Sequence, residues 1–126
     1  MATRSAIAYY TEDQRIRAIY CHFDGYLECN GKILKECWND WTKVESLVER
    51  GDISSLGETL EETEFYTQRG EELCIYEFEN EYEYAKEMFD MGCEFLYLYV
   101  HDMSYDKEDA HWHYCTPELP EFSPVY

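Results

Sequence analysis

A chain that gathers 28 Asp and Glu around only 10 Lys and Arg folds against its own electric field, and its formal charge of −18 sets the first condition on any fold. Self-repulsion at that density destabilises a compact state, so the carboxylates must lie outside and a substantial apolar core must hold the middle. The material for such a core is present. Hydrophobic residues make up 45% of the sequence and aromatics 17%, which separates it from acidic disordered chains, poor in aromatics. At 126 residues the chain has the size of one domain, with no room for a second core. The charge also excludes partners. DNA, RNA and anionic membranes are bound through clustered Lys and Arg, so neither direct nucleic-acid binding nor membrane contact is expected. A basic protein partner is favoured.

Residues 4–11 and 15–23 read as two strands separated by the polar Glu12-Asp13-Gln14, the pattern of a β-hairpin. Asp24-Gly25 ends the second strand. Tyr26 to Trp38 reads as a helix, with Asn30-Gly31 drawing its start toward residue 30. Ile33, Leu34, Cys37, Trp38 and Trp41 share the spacing of one buried stripe. A second helix is expected from Asp40 or Thr42 to Arg50, with Val44, Leu47 and Val48 inward and Gly51 as its stop. Ser54 to Gly57 is turn-rich, and 58–70 reads largely as loop. Leu73 to Phe78 looks like a strand, Asn80 caps a helix that runs to Met91, and Glu94 to His101 is the strongest strand signal in the chain. After a polar turn over 102–109, His111 to Cys115 reads as a last strand. Three prolines make 117–126 an extended, peripheral tail. The predicted architecture is a single α+β domain over 1–116, a mostly antiparallel sheet with two to three helices packed on one face.

Candidate chemical sites are few. No apolar leader precedes the six Cys, no segment approaches the roughly 18 apolar residues of a membrane span, and several Cys lie inside apolar runs. Reduced thiols in the cytoplasm are expected. His111, His113 and Cys115 fall on one face of an extended segment. Zinc asks for four partners in a closed site, however, and the rest would have to come from Cys21, His22 or His101. No metal and no cofactor are expected. Cys21, His22 and Asp24 have the residue types of a nucleophile, a base and an orienting acid, yet neighbours on a strand point to opposite faces. With no phosphate loop, nucleophile elbow or zinc helix in the sequence, the chain is expected not to be an enzyme.

The charge is unevenly spread. Between residues 58 and 94 stand thirteen carboxylates: Glu58, Glu61, Glu62, Glu64, Glu71, Glu72, Glu77, Glu79, Glu81, Glu83, Glu87, Asp90 and Glu94. Only Arg69 and Lys86 oppose them, a net of −11. Where the chain is extended, residues i and i+2 project from one face about 6.6 Å apart, twice the strand rise, and Glu77, Glu79, Glu81 and Glu83 alternate in that way. Carried on by Glu87, Asp90 and Glu94 along a helix, such a row would imitate the phosphates of a nucleic acid. A helix beginning near Asn80 would make the match partial.

One further signature runs through the first 60 residues. Thr3, Arg4, Ile7 and Ala8 open it. Ile19-Tyr20-Cys21-His22-Phe23-Asp24-Gly25-Tyr26 follows, with Gly31 and Leu34 behind, then Lys43-Val44 with Leu47, and finally Gly51-Asp52-Ile53-Ser54-Ser55-Leu56-Gly57. In these residues the chain resembles a family of small proteins encoded by bacterial viruses. Phe23 stands where that family more often has Trp. The resemblance implies expression in the cytoplasm of an infected bacterium, and by analogy with other small acidic phage proteins it implies an inhibitor of host defence or DNA enzymes. The expected function is therefore an acidic binding protein that blocks a basic, nucleic-acid-binding or defence protein of the host by nucleic-acid mimicry. The alternatives are a sequestering protein, holding a nucleotide-like ligand on its Tyr- and Trp-rich sheet face with Arg4, Arg15 and Arg17 gathered around the phosphate, and a solvated acidic domain with a structural role. A homodimer stays open.

Overall fold

Ser5–Tyr10 (β1) and Ile16–Cys21 (β2) pair antiparallel along their whole length, from Ser5 opposite Cys21 to Tyr10 opposite Ile16. The computed structural model, which describes residues 3–100 and 112–125, builds outward from this hairpin. After β2 a single π-helical turn (Leu27–Gly31) runs into α1 (Lys32–Cys37), and α2 (Trp41–Val48) follows at once. Asp40 separates the two: its side chain accepts the Thr42 N–H at 2.8 Å, the N-cap that starts a new helix. Trp41 therefore opens α2 instead of extending the stripe of α1. Then come β3 (Ile53–Ser55), β4 (Glu64–Phe65), a 3-10 turn (Tyr66–Arg69), β5 (Tyr76–Phe78), α3 (Glu81–Asp90), β6 (Phe95–Tyr99), β7 (Trp112–Cys115) and β8 (Ser123–Pro124). Among the described residues eight strands form one sheet, in the order β4-β3-β2-β1-β6-β7-β8, with β5 also on the outer edge of β2. The sheet is mixed. β1 with β6 and β2 with β3 are parallel, and the other pairs are antiparallel.

The fold is α+β as expected, but its helices do not share one face. Residues of odd number on β1, with Ile19, Cys21, Tyr97, Tyr99 and Trp112, pack against α1 and α2. Ala6, Ala8, Ile16, Ala18, Leu96 and Leu98 point the other way and pack against Tyr84 and Met88 of α3. The cause lies in the central strands. β1 and β6 are apolar at both parities, with Ala6 to Ala8 and Leu96 to Leu98 fully buried, so a single helical layer would leave one apolar face wet. Three alanines on the α3 side leave room for the ring of Tyr84, whose hydroxyl donates to the Tyr97 carbonyl at 2.8 Å.

Two segments without a clear pattern also join the sheet. β3 and β4 arise from the stretch read as turn and loop, and the proline tail is anchored instead of peripheral. Val125 is buried and donates its N–H to the Trp112 carbonyl at 2.9 Å, and Phe122 stacks on Tyr84 with 5.9 Å between ring centroids.

The outer edge of β2 is shared between β5, opposite Ile16 to Ala18, and β3, opposite Cys21. The Tyr20 N–H falls in the gap, where the Asp52 carboxylate accepts it at 2.8 Å. Burial raises the Asp52 pKa above the ordinary carboxyl value, against the lowering effect of that hydrogen bond. A raised folded-state pKa means that this group's contribution to stability is fullest below its unfolded pKa and is lost as pH rises through the folded one. Asp52→Asn keeps an acceptor for Tyr20 without the buried charge. It is expected to be at least as stable as wild type at neutral pH, with the margin shrinking as pH falls into the carboxyl range. Asp52→Ala leaves the Tyr20 N–H unpaired and is expected to cost about 1–3 kcal/mol. Urea unfolding across that pH range checks both, and equal damage from Asn and Ala would refute the account.

Candidate acidic binding surface

All thirteen carboxylates proposed from the sequence are exposed, but the fold sorts them into groups with different fates. Glu58, Glu61 and Glu62 lie on the connection from β3 to β4, whose Leu56, Leu60 and Phe65 pack with the α1/α2 layer. The Glu62 carboxylate accepts the Glu58 N–H at 3.4 Å. Glu64 pairs with Arg69 at 3.3 Å. Glu71 and Glu72 follow the 3-10 turn. Glu94 sits in the turn into β6, its N–H donated to the Arg4 carbonyl at 2.8 Å.

Glu77 is not part of an outward row. It sits on β5 opposite Arg17 and meets Arg15 at 3.2 Å and Arg17 at 3.0 Å. Arg17 also holds Glu49, the C-cap of α2, with two bonds, at 2.7 and 2.8 Å, and the Tyr9 hydroxyl donates to the same carboxylate at 3.1 Å. The predicted alternation from Glu77 to Glu83 is thus broken. The strand ends at Phe78, the backbone stays extended to Asn80, and there the Asn80 side chain accepts the Glu83 N–H at 2.9 Å and switches it to helix. A period of two becomes one of 3.6.

What survives is a helical row. Glu83, Glu87 and Asp90 stand at i, i+4 and i+7 on α3, so they share one flank about 6 Å and then about 4.5 Å apart along the axis. Glu83 is partly committed to structure, since it accepts the Glu79 N–H at 2.9 Å beside the N-cap. There a negative charge suits the helix dipole. Glu87 and Asp90 are placed against it. They occupy the C-terminal half of a helix whose last turn carries no basic residue, and they form no ion pair among the described residues. Two cations stand nearby: Lys86, one turn before Asp90 on the same helix, and Arg4, whose guanidinium lies beside Gly92 just past the helix end, 3.1 Å from where a Cβ there would stand.

The other flank of α3 is of a different kind. Ala85 and Phe89, with the exposed ring of Tyr82, line a groove shared with the C-terminal tail. Glu81 stands at its end. Burial, and then this carboxylate, which accepts the Tyr10 O–H, push the Tyr10 phenol up to about 12. Sequence reasoning missed the groove because half of it is made by a tail with no periodic pattern.

The remaining sequence candidates do not converge on chemistry. Cys21 is buried, with its thiol directed at the Phe23 carbonyl, and burial pushes its pKa up to about 11. His22 bonds through Nδ1 to the Tyr20 hydroxyl at 2.7 Å, away from both Cys21 and Asp24. Asp24 and Gly25 make the turn out of β2. Asp24 takes a positive φ of 60°, and a Cβ on Gly25 would lie 2.6 Å from that of Ser5. His101 and His111 lie outside the described residues. Cys115 is buried, its pKa raised to about 12 chiefly by burial, and no group of three or more His, Cys, Asp or Glu among the described residues is placed to hold a metal. The aromatic sheet face offered for a nucleotide is covered: Tyr97, Tyr99 and Trp112 are buried beneath α1 and α2. Arg15 and Arg17 face carboxylates, and Arg4 sits at the far end of α3. No helix among the described residues is long and apolar enough to cross a membrane. No family model, no curated protein and no solved structure matches the chain.

Proposed function

We propose that this protein is an acidic inhibitor that sets the charged flank of α3 against the basic groove of a host protein that binds nucleic acid, and so competes with the nucleic acid for that groove. One observation carries the reading. Glu87 and Asp90 extend a carboxylate row into the end of α3 where the helix dipole opposes them, and they form no ion pair among the described residues. Charge that works against its own helix and is left without an ion pair among the described residues is accounted for by an external cation. A net charge of −18 supplies the long-range field that would steer such an encounter. The likeness of the first 60 residues to phage-encoded proteins supports a bacterial host for the partner. Those residues supply most of the α1/α2 layer and the hairpin, a scaffold on which the acidic second half is displayed.

Complementary charge predicts a steep salt dependence. Host proteins captured on the immobilised protein at about 50 mM salt should be lost at about 200 mM, and added duplex DNA should release them by occupying their groove. Retention that is indifferent to salt, or that DNA leaves untouched, would contradict the proposal.

A further inference from the structure

The groove between α3 and the tail has a volume of about 630 Å³, inside the ~300–1,000 Å³ range of pockets that take ligands. Its floor is apolar, made by Ala85 and Phe89 of α3 with Phe122 of the tail. That floor is pre-formed. Phe122 is stacked on the buried Tyr84, and the residues that follow it are held by β8 pairing with β7. The rim is acidic, with Glu81 on one side and Glu121 on the other, against a single cation, Lys86, among the lining residues. Tyr82 stands at the margin, 74% exposed, with its ring in solvent.

Resting on the function proposed above, we infer that this groove receives the anchor of a basic partner segment: one large aromatic or aliphatic side chain flanked by Arg or Lys. Charge complementarity selects the occupant. A molecule at −18 repels an acidic segment, while Glu81 and Glu121 are placed to meet cations on either side of an apolar side chain seated on Phe89 and Phe122. The exposed face of Tyr82 suits a stacked guanidinium. The carboxylate row lies on the opposite flank of the same helix, so one partner surface can engage both. The row contributes attraction at long range and the groove discriminates at contact, since burying one large side chain adds about 1.5–3 kcal/mol, roughly a tenfold or greater gain in affinity.

The probes are two labelled pentapeptides, four arginines around a central tryptophan and four arginines around a central serine, titrated at low and moderate salt. The tryptophan peptide is expected to bind at least about tenfold more tightly. Ala85→Trp fills the groove at unchanged net charge and is expected to bring the affinities of the two peptides together, whereas Tyr82→Ala removes only the face offered to a guanidinium and is expected to weaken both peptides alike. Equal binding of the peptides to wild type, with salt dependence intact, would overturn the groove and leave the acidic surface standing. So would a tryptophan preference that survives Ala85→Trp. A tryptophan preference abolished by Ala85→Trp but insensitive to salt would keep the groove and remove the charge reading beneath it.

Discussion

Trp112→Ala is expected to lower stability by about 3–5 kcal/mol, a large share of the ~5–15 kcal/mol that holds an ordinary domain. The ring is 1% exposed and packs edge-on against Tyr99, with 5.3 Å between centroids. Its Nε1–H donates to the Trp38 carbonyl at 2.8 Å, at the end of α1 where helical carbonyls lack partners. Trp38 in turn donates its own Nε1–H to the Gly57 carbonyl at 3.1 Å. Two indoles thus tie β7, α1 and the connection after β3 into one chain of contacts, and Val125 closes it from the tail through the Trp112 carbonyl. Removing the ring empties the junction of four segments distant in sequence, so little can collapse to fill it. Trp112→Phe retains part of the packing but leaves the Trp38 carbonyl unpaired, a loss of about 1–3 kcal/mol. Urea unfolding at neutral pH measures both. A loss below about 1 kcal/mol for the alanine variant would mean that this junction does not hold the two halves of the chain together.

The second large effect runs in the opposite direction. Replacing both Glu87 and Asp90 by Lys should make the protein more stable and a weaker binder. Two reversals of +2 each move the formal charge from −18 to −14. They place cations at the C-terminal end of α3, where each is worth about 0.3–1 kcal/mol at an exposed site, and they remove the like-charge contact of Glu87 with Glu83. The midpoint of thermal unfolding is expected to rise by a few degrees. Affinity for the basic partner should fall at least tenfold, mostly through slower association, because the lost terms are the ones that steer. A variant destabilised by these changes would show that the carboxylates serve the fold.

The legible parts of the fold were those that repeat. The β1–β2 hairpin, α2, α3 and β6 each carry several turns or alternations of apolar residues, and each formed. β3 and β4, with three and two residues, are too short to show a period, and they are strands only because the open edge of β2 takes β3 and β3 in turn takes β4. The second helical layer was encoded in β1, where Ala6 and Ala8 alternate with Ile7 and Tyr9. Alanine is small enough to read as a filler, yet here it is the apolar surface that α3 covers. The acidic surface was legible as composition and not as geometry. Nothing near Glu77 announces Arg15 and Arg17, some 60 residues earlier, and only strand pairing brings them together. The row that remains, Glu83 to Asp90, depends on where Asn80 begins the helix, and a cap of that kind can be read from sequence once the switch from strand to helix is taken seriously.

The most direct test of the account compares two charge-matched variants against one captured host protein. The first carries Glu87→Lys with Asp90→Lys on α3. The second carries Glu28→Lys with Glu36→Lys, both exposed, one in the first turn of Leu27–Gly31 and one near the end of α1, in the helical layer on the other face of the sheet and outside the acidic row. Each has a net charge of −14. If the flank of α3 is the contact, the first pair loses at least tenfold in affinity and the second loses little beyond the small effect of reduced overall charge. Equal losses in both would show that bulk charge alone attracts the partner and that α3 presents no particular surface to it.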